Sequence, residues 1–269
     1  MYQTFELDST KYGLYGKAIL EVLQTKKDSL ERILLLGAGR GGLLTKILES
    51  LKTALDVESE SDEDFALEFF FRNPKKIEIF VVEKNPNCIP GLAKKFLAPD
   101  SALRAQLGAQ IWKVIEIRIL NKSSWEFADE FLGFKSNIYQ NKKFDLIVSE
   151  LLGSFGDNEL SPECLFPVES LLKENGQMIP KRYTSYCSLV SCQKVWNLIA
   201  SKEMSYTAFF ARFVRAADGA LEGFTFEHPS KENFYMRDKE RSLEFTANQE
   251  IMVHGVMGFF EAWLTDNVK

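Results

Sequence analysis

Histidine is nearly missing. The 269-residue chain has two, His228 and His254. Chemistry that needs a histidine base, or a metal held by several histidines, has little to draw on. The four cysteines (Cys88, Cys164, Cys187 and Cys192) form no CxxC pair and no zinc spacing. They read as reduced thiols of an intracellular protein, and no metal site is expected. No run is long and apolar enough to span a membrane as a helix, and Met1-Tyr2-Gln3-Thr4-Phe5-Glu6 is not a signal peptide. A strong basic field is also absent. The net charge is -5, and seven acids (Asp56, Glu58, Glu60, Asp62, Glu63, Asp64, Glu68) lie together with no base among them. Setting these aside leaves 31 acids against 33 bases, so nucleic acid is not the expected main partner. The acidic run, within an insert at about 56–71, reads as a solvated loop.

What is present is a chain 45% hydrophobic, enough for one large domain or two smaller ones with cores. Tyr12, Tyr15, Ile19, Val22 and Leu23 share a helical face after the capping residues Asp8, Ser9 and Thr10. Ile33–Leu36 is wholly apolar and ends in glycines, as in a central parallel strand. A helix over Leu43–Ala54 follows. Further strands are expected over Ile77–Val82, Val114–Leu120 and Phe144–Val148, and a helix from Ser161 to about Lys173, ended by Gly176. Alternating strands and helices predict a doubly wound α/β layer. Beyond Pro180 the texture turns β-rich, with strands expected over Thr184–Cys192, Phe224–Glu227, Ser242–Thr246 and Ile251–Leu264, and a helix only over Cys192–Lys202. Domains over residues 1–180 and 181–269 follow from this change.

Two segments carry chemistry. Gly37-Ala38-Gly39-Arg40-Gly41-Gly42 lies between a strand and a helix. Its spacing fits the G-x-G-x-x-G turn that approaches a nucleotide-like ligand closely. Glu83, at the end of the second strand, is placed to accept hydrogen bonds from ribose hydroxyls, although it lies 41 residues past Gly42, where about 20 is usual. The acidic insert accounts for the excess. Neither feature separates a nicotinamide dinucleotide from S-adenosylmethionine, so a dehydrogenase stays open here. The second segment, Ser149 to Glu159, places Glu150 and Glu159 nine positions apart in a glycine-containing loop after the fourth strand. Two carboxylates on a short loop at the ligand-binding end of a parallel sheet suit a guanidinium, whose N–H donors need several oxygen partners.

The strand with S-E-x-L-G-x-x-x-x-x-E resembles the paired-glutamate loop of protein arginine methyltransferases, and the stretch Ser149–Cys164 is similar to the symmetric (type II) branch of that family. Tyr2–Glu6 with Lys11-Tyr12, the Leu36–Gly41 loop, Val82–Asn87 and the His254–Glu261 region resemble the same branch in order. The resemblance implies a Rossmann-like class I methyltransferase sheet followed by an incomplete β-barrel domain. It implies S-adenosyl-L-methionine bound by Tyr2, Lys11, Tyr12, Gly37, Gly39 and Glu83. Glu150 and Glu159 would hold the target guanidinium, and Phe5 would sit beside the reacting nitrogens and favour the symmetric product. The adenine contact falls on Asn121, where family members place aspartate. Gly/Arg-rich proteins and histone tails would be substrates, in cytoplasm and nucleus, with no direct nucleic acid or membrane contact and with homo-oligomer formation. The family's N-terminal TIM barrel, which docks a WD-repeat partner, and its Phe-Ser-Trp segment, which stacks on the substrate arginine, find no match in this chain. The expectation is therefore a truncated catalytic region. An adenosylmethionine-binding fragment inactive alone is the alternative, and an NAD-dependent dehydrogenase a more remote one.

Overall fold

The computed structural model describes residues 8–55, 76–133, 143–201, 213–217, 219–230, 240–247 and 249–269. The acidic insert, Tyr2 and Phe5 lie outside them. The first unit opens with α1 (Ser9–Lys26), whose Asp8 side chain caps the Lys11 N–H at 2.9 Å. Next come β1 (Arg32–Leu36), α2 (Gly42–Ala54) and β2 (Ile77–Val82). Three short helices, α3 (Ile89–Phe96), α4 (Ala102–Leu107) and α5 (Ala109–Val114), lead to β3 (Ile115–Leu120). The unit closes with α6 (Ser124–Leu132), β4 (Phe144–Ser149), α7 (Ser161–Glu169) and β5 (Leu172–Ile179).

These five strands pair in parallel in the order β3-β2-β1-β4-β5. Strands buried on both faces divide their side chains by parity. Ile33, Leu35, Ile79, Val81, Leu146 and Val148 join one apolar cluster with the first five helices. Leu34, Leu36, Phe80, Val82 and Ile147 join the other, with α6 and α7. The second cluster holds Phe80, Phe127, Phe131 and Phe144 with ring centroids 5.1–6.2 Å apart. The expected doubly wound layer is thus observed.

One buried charge ties the sheet together. Asp145 in β4 accepts the Glu31 and Arg32 N–H groups, each at 2.9 Å, and pairs with Lys173 of β5 at 2.8 Å. Burial works against the charge on Lys173, but its hydrogen bonds to Asp145 and Glu31 outweigh that and raise its pKa.

The second unit is an antiparallel sheet around β6 (Arg182–Ser191). After α8 (Gln193–Ile199), the strands β7 (Val214–Arg215), β8 (Leu221–Glu227) and β9 (Gly255–Trp263) all pair with β6. Two expectations fail. The helix from Ser161 ends at Glu169, and residues 172–179, expected in part as helix, form β5. Its Lys, Glu, Asn and Gly are poor strand formers, but pairing with β4 and burial of Leu172, Met178 and Ile179 override propensity. Ser242–Thr246 alternates like a strand yet joins no sheet among the described residues. The neighbouring Arg241 donates to the Gly223 carbonyl at 3.0 Å, and alternation without a ladder partner does not make a strand.

Asp145→Ala is expected to lower unfolding free energy by about 3 kcal/mol, because the Glu31 and Arg32 N–H groups lose their acceptor and Lys173 loses one of its two carboxylate partners. Urea denaturation checks this, with Lys173→Met expected to cost less since both N–H groups keep their partner.

Candidate functional site

β1 lies between β2 and β4, so the loops leaving all three emerge side by side at the C-terminal edge, where open α/β sheets bind ligands. Gly37 leaves β1 with φ +70°, and its N–H donates to the Val82 carbonyl at 3.0 Å. A Cβ there would lie 2.8 Å from the Leu151 side chain, so backbone angle and space both require glycine. Glu83 is 7% exposed. One of its oxygens accepts the Gly39 N–H and the other the Asn85 N–H, both at 2.7 Å. Each oxygen keeps a lone pair for a further donor. Asn121 donates its amide to the Glu83 and Lys84 carbonyls at 2.8 and 3.0 Å, and its own carbonyl oxygen bonds no described residue. Gly37, Gly39, Glu83 and Asn121, nominated from separate stretches of sequence, are therefore brought to one edge.

Glu150 follows β4, and α1 covers it. Lys11 Nζ pairs with one carboxylate oxygen, and the Tyr12 hydroxyl lies 3.3 Å from the other. The Tyr12 ring also rests against Gly42 of the glycine turn. Lys11, expected beside the cofactor, is thus in contact with an acid expected to hold the substrate. Tyr15 donates to the Ser149 carbonyl at 2.9 Å and fixes the residue before Glu150. Burial, with the Glu150 charge and Tyr12 nearby, raises the pKa of its phenol well above the usual tyrosine range. Glu159 ends a short 3-10 turn, Asp157–Glu159, and is exposed, with no bond to a described residue. Tyr2 and Phe5 fall outside the described residues.

Several residues at or near the site were not nominated from sequence. Tyr15 reads as a core position on a helical face, and nothing in its neighbourhood signals a carbonyl partner 134 positions away. His228 is buried against Tyr183, and its Nδ1 lies 3.2 Å from Glu169 at the end of α7, joining the two units. The Ser185 hydroxyl of β6 reaches the carbonyl of Phe155 in the acid loop at 2.7 Å. His254 bonds Ser191 and Cys192 through Nδ1 and Gln193 through Nε2. The described residues contain no His, Cys, Asp or Glu group able to hold a metal ion, and no helix long and apolar enough to cross a membrane.

A 3-2-1-4-5 parallel sheet with a glycine turn and a buried acid at its C-terminal edge is a Rossmann-like α/β domain. Residues 1–179 match the family described as PRMT5 arginine-N-methyltransferase, and residues 182–269 match the PRMT5 oligomerisation domain. The chain belongs to the PRMT5 arginine methyltransferase family. It is 30% identical to protein arginine N-methyltransferase 5 of Xenopus laevis, over 99% of this chain and 38% of that protein. It is also 30% identical to protein arginine N-methyltransferase skb1 of Schizosaccharomyces pombe, over 100% of this chain and 39% of that one. The chain therefore spans under two fifths of the length of these relatives. A crystal structure of PRMT6 overlaps 71% of this chain and 48% of its own at 13% identity, with a TM-score of 0.45.

Partial burial raises the Asp157 carboxyl pKa above its ordinary value. A carboxyl raised in the folded state favours folding below its unfolded pKa, about 4, and loses that advantage as pH rises through the folded value. Asp157→Asn is therefore expected to raise the melting temperature at pH 7, with the gain gone by about pH 3. Thermal scans across pH measure it.

Proposed function

We propose that this chain is the catalytic region of a protein arginine N-methyltransferase that uses S-adenosyl-L-methionine and yields symmetric dimethylarginine on Gly/Arg-rich and histone-tail substrates. The observation that carries the reading is the contact of Leu151 with the Gly37 turn, which sets Glu150 directly beside the expected cofactor loop. Family membership supports the same reaction.

The residues fit the cofactor's chemistry. Glu83 offers lone pairs for ribose hydroxyls, Asn121 an amide carbonyl for the adenine amine, and the Gly37–Gly39 backbone a close approach. When bound, the cofactor supplies a methyl already activated by its sulfonium. The protein's part is to place one guanidinium nitrogen in line with that methyl, an effect that can supply about 7–11 kcal/mol. Free arginine keeps its proton at neutral pH, its pKa being about 12.5–13.8. Glu150 and Glu159 would fix the guanidinium by charge-assisted hydrogen bonds, draw its positive charge toward the far nitrogens, and leave the attacking nitrogen its lone pair. As the new N–C bond forms and the methyl–sulfur bond breaks to leave a neutral thioether, the nitrogen's proton would pass to one of these carboxylates or to water. Phe5 would crowd the reacting nitrogens and direct the second methyl to the other terminal nitrogen. Residues 182–269 would supply homo-oligomer contacts.

Glu150→Gln is expected to cut methyl transfer to a Gly/Arg-rich peptide at least ~100-fold, since the guanidinium loses a charge partner, while the amide oxygen can still accept from Lys11 and leaves adenosylhomocysteine affinity within about twofold. Radiolabel transfer and calorimetry read the two halves; full activity would remove Glu150 from the reaction, and NAD binding without adenosylmethionine binding would refute the methyltransferase reading. Phe5→Met should admit asymmetric dimethylarginine, resolved by mass spectrometry; a product that stays purely symmetric would exclude Phe5 as the selector.

A further inference from the structure

We infer that Ser185 and Asn158 are positioning residues that set the place of Glu159, so that the antiparallel sheet, and not the acid loop alone, determines the spacing of the two carboxylates. This rests on the reading of Glu150 and Glu159 as a guanidinium-binding pair.

The two acids are held by different means. Glu150 directly follows a parallel strand and has Lys11 and Tyr12 on its side chain. Glu159 is exposed and bonds no described residue, so its place is inherited from the backbone before it. That backbone turns tightly: Gly153 and Gly156 exchange both hydrogen bonds, at 2.9 and 3.2 Å. At the tip, the Phe155 N–H donates to Asn158 Oδ1 at 2.8 Å, and the Phe155 carbonyl accepts from Ser185 Oγ at 2.7 Å. Ser185 is fully buried in β6, so its hydroxyl has a fixed origin.

Packing closes the same turn from the sheet side. Gly156 has φ +89°, and a Cβ there would lie 3.0 Å from the Tyr183 ring and 3.1 Å from Ser185 Oγ. The Phe155 ring lies on Gly258 of β9, where a Cβ would come within 2.6 Å of it. Gly258 pairs with Cys187, two residues along β6 from Ser185, so one patch of one sheet holds both Phe155 and Gly156. Past Glu159, Leu160 has φ 63°, a left-handed conformation that costs a non-glycine residue and persists only where its surroundings impose it. Glu159 thus sits between a turn clamped by the second sheet and a strained entry to α7. Removing the Ser185 hydroxyl or the Asn158 acceptor frees the Phe155 peptide and shifts Glu159 relative to Glu150. A displacement of 1 Å at such a pair can cost ~100-fold in rate.

The test uses the full chain with adenosylhomocysteine and a Gly/Arg-rich peptide, and measures both affinities by calorimetry. Ser185→Ala and Asn158→Ala are each expected to weaken peptide binding ~10-fold with adenosylhomocysteine affinity within about twofold. Ser185→Thr, which keeps the hydroxyl, should recover most of the loss, and amide exchange at Phe155 should quicken in both alanine variants. Asn158 is exposed, so its replacement leaves the core intact if Ser185→Ala does not fold. Wild-type peptide binding that the alanine variants leave unweakened, or a loss matched equally in adenosylhomocysteine affinity, overturns the positioning role alone. A wild-type chain that binds adenosylhomocysteine but no arginine peptide sinks the guanidinium reading and this inference with it.

Discussion

Everything at the candidate site depends on the backbone pairing of β1 with two parallel neighbours, β2 on one side and β4 on the other. A parallel strand order that reverses direction at its centre leaves a crevice where adjacent loops diverge. Here the glycine turn rises from β1, Glu83 from β2 and Glu150 from β4, so three loops far apart in sequence meet at one edge. No side-chain contact could assemble them without that ladder. The ladder persists because both faces of these strands are buried, each under its own layer of helices.

Buried carboxylates then refine the geometry. Asp145 and Glu83 each accept two backbone N–H groups, one pair at the start of β1 and the other at the turns leaving β1 and β2. A buried acid is tolerable only when its lone pairs are met, and backbone donors meet them without the entropy cost of ordering a long side chain. Glu83 therefore shapes the glycine turn before any ligand is considered, while its remaining lone pairs face the edge. A mutation there would therefore disturb the turn itself.

The second sheet is not an appendage to this machinery. Its strands reach the acid loop through Ser185, Tyr183 and Gly258, and its His228 reaches α7 through Glu169. Glu150 is contacted from α1, while the turn ahead of Glu159 is contacted from the second sheet, so the two ends of the acid loop meet different units of the fold. A loop positioned by a scaffold is the usual home of catalytic residues.

Much of this was legible in the chain. Apolar runs marked β1, β2 and β4, because strands buried on both faces must be largely hydrophobic, and alternation marked the edge strand β3. Glycine spacing marked the turn, since only glycine accepts its backbone angle and the nearness of Leu151. The acid pair stood out through its position after a strand. By contrast, β5 was hidden because its polar residues satisfy a ladder and not a propensity, and Ser242–Thr246 misled because alternation carries no information about a partner strand. Tyr15, Ser185 and His228 were silent for a common reason: each acts through a partner at least 30 residues away, and no local pattern encodes that distance. The amino-acid sequence by itself determined which residues could carry charge, turn sharply or fill a core, since those are properties of single side chains and short periods. Only the tertiary structure decided which of them meet, because parallel pairing and packing between the two sheets are long-range events whose geometry is set once the whole chain has closed around them.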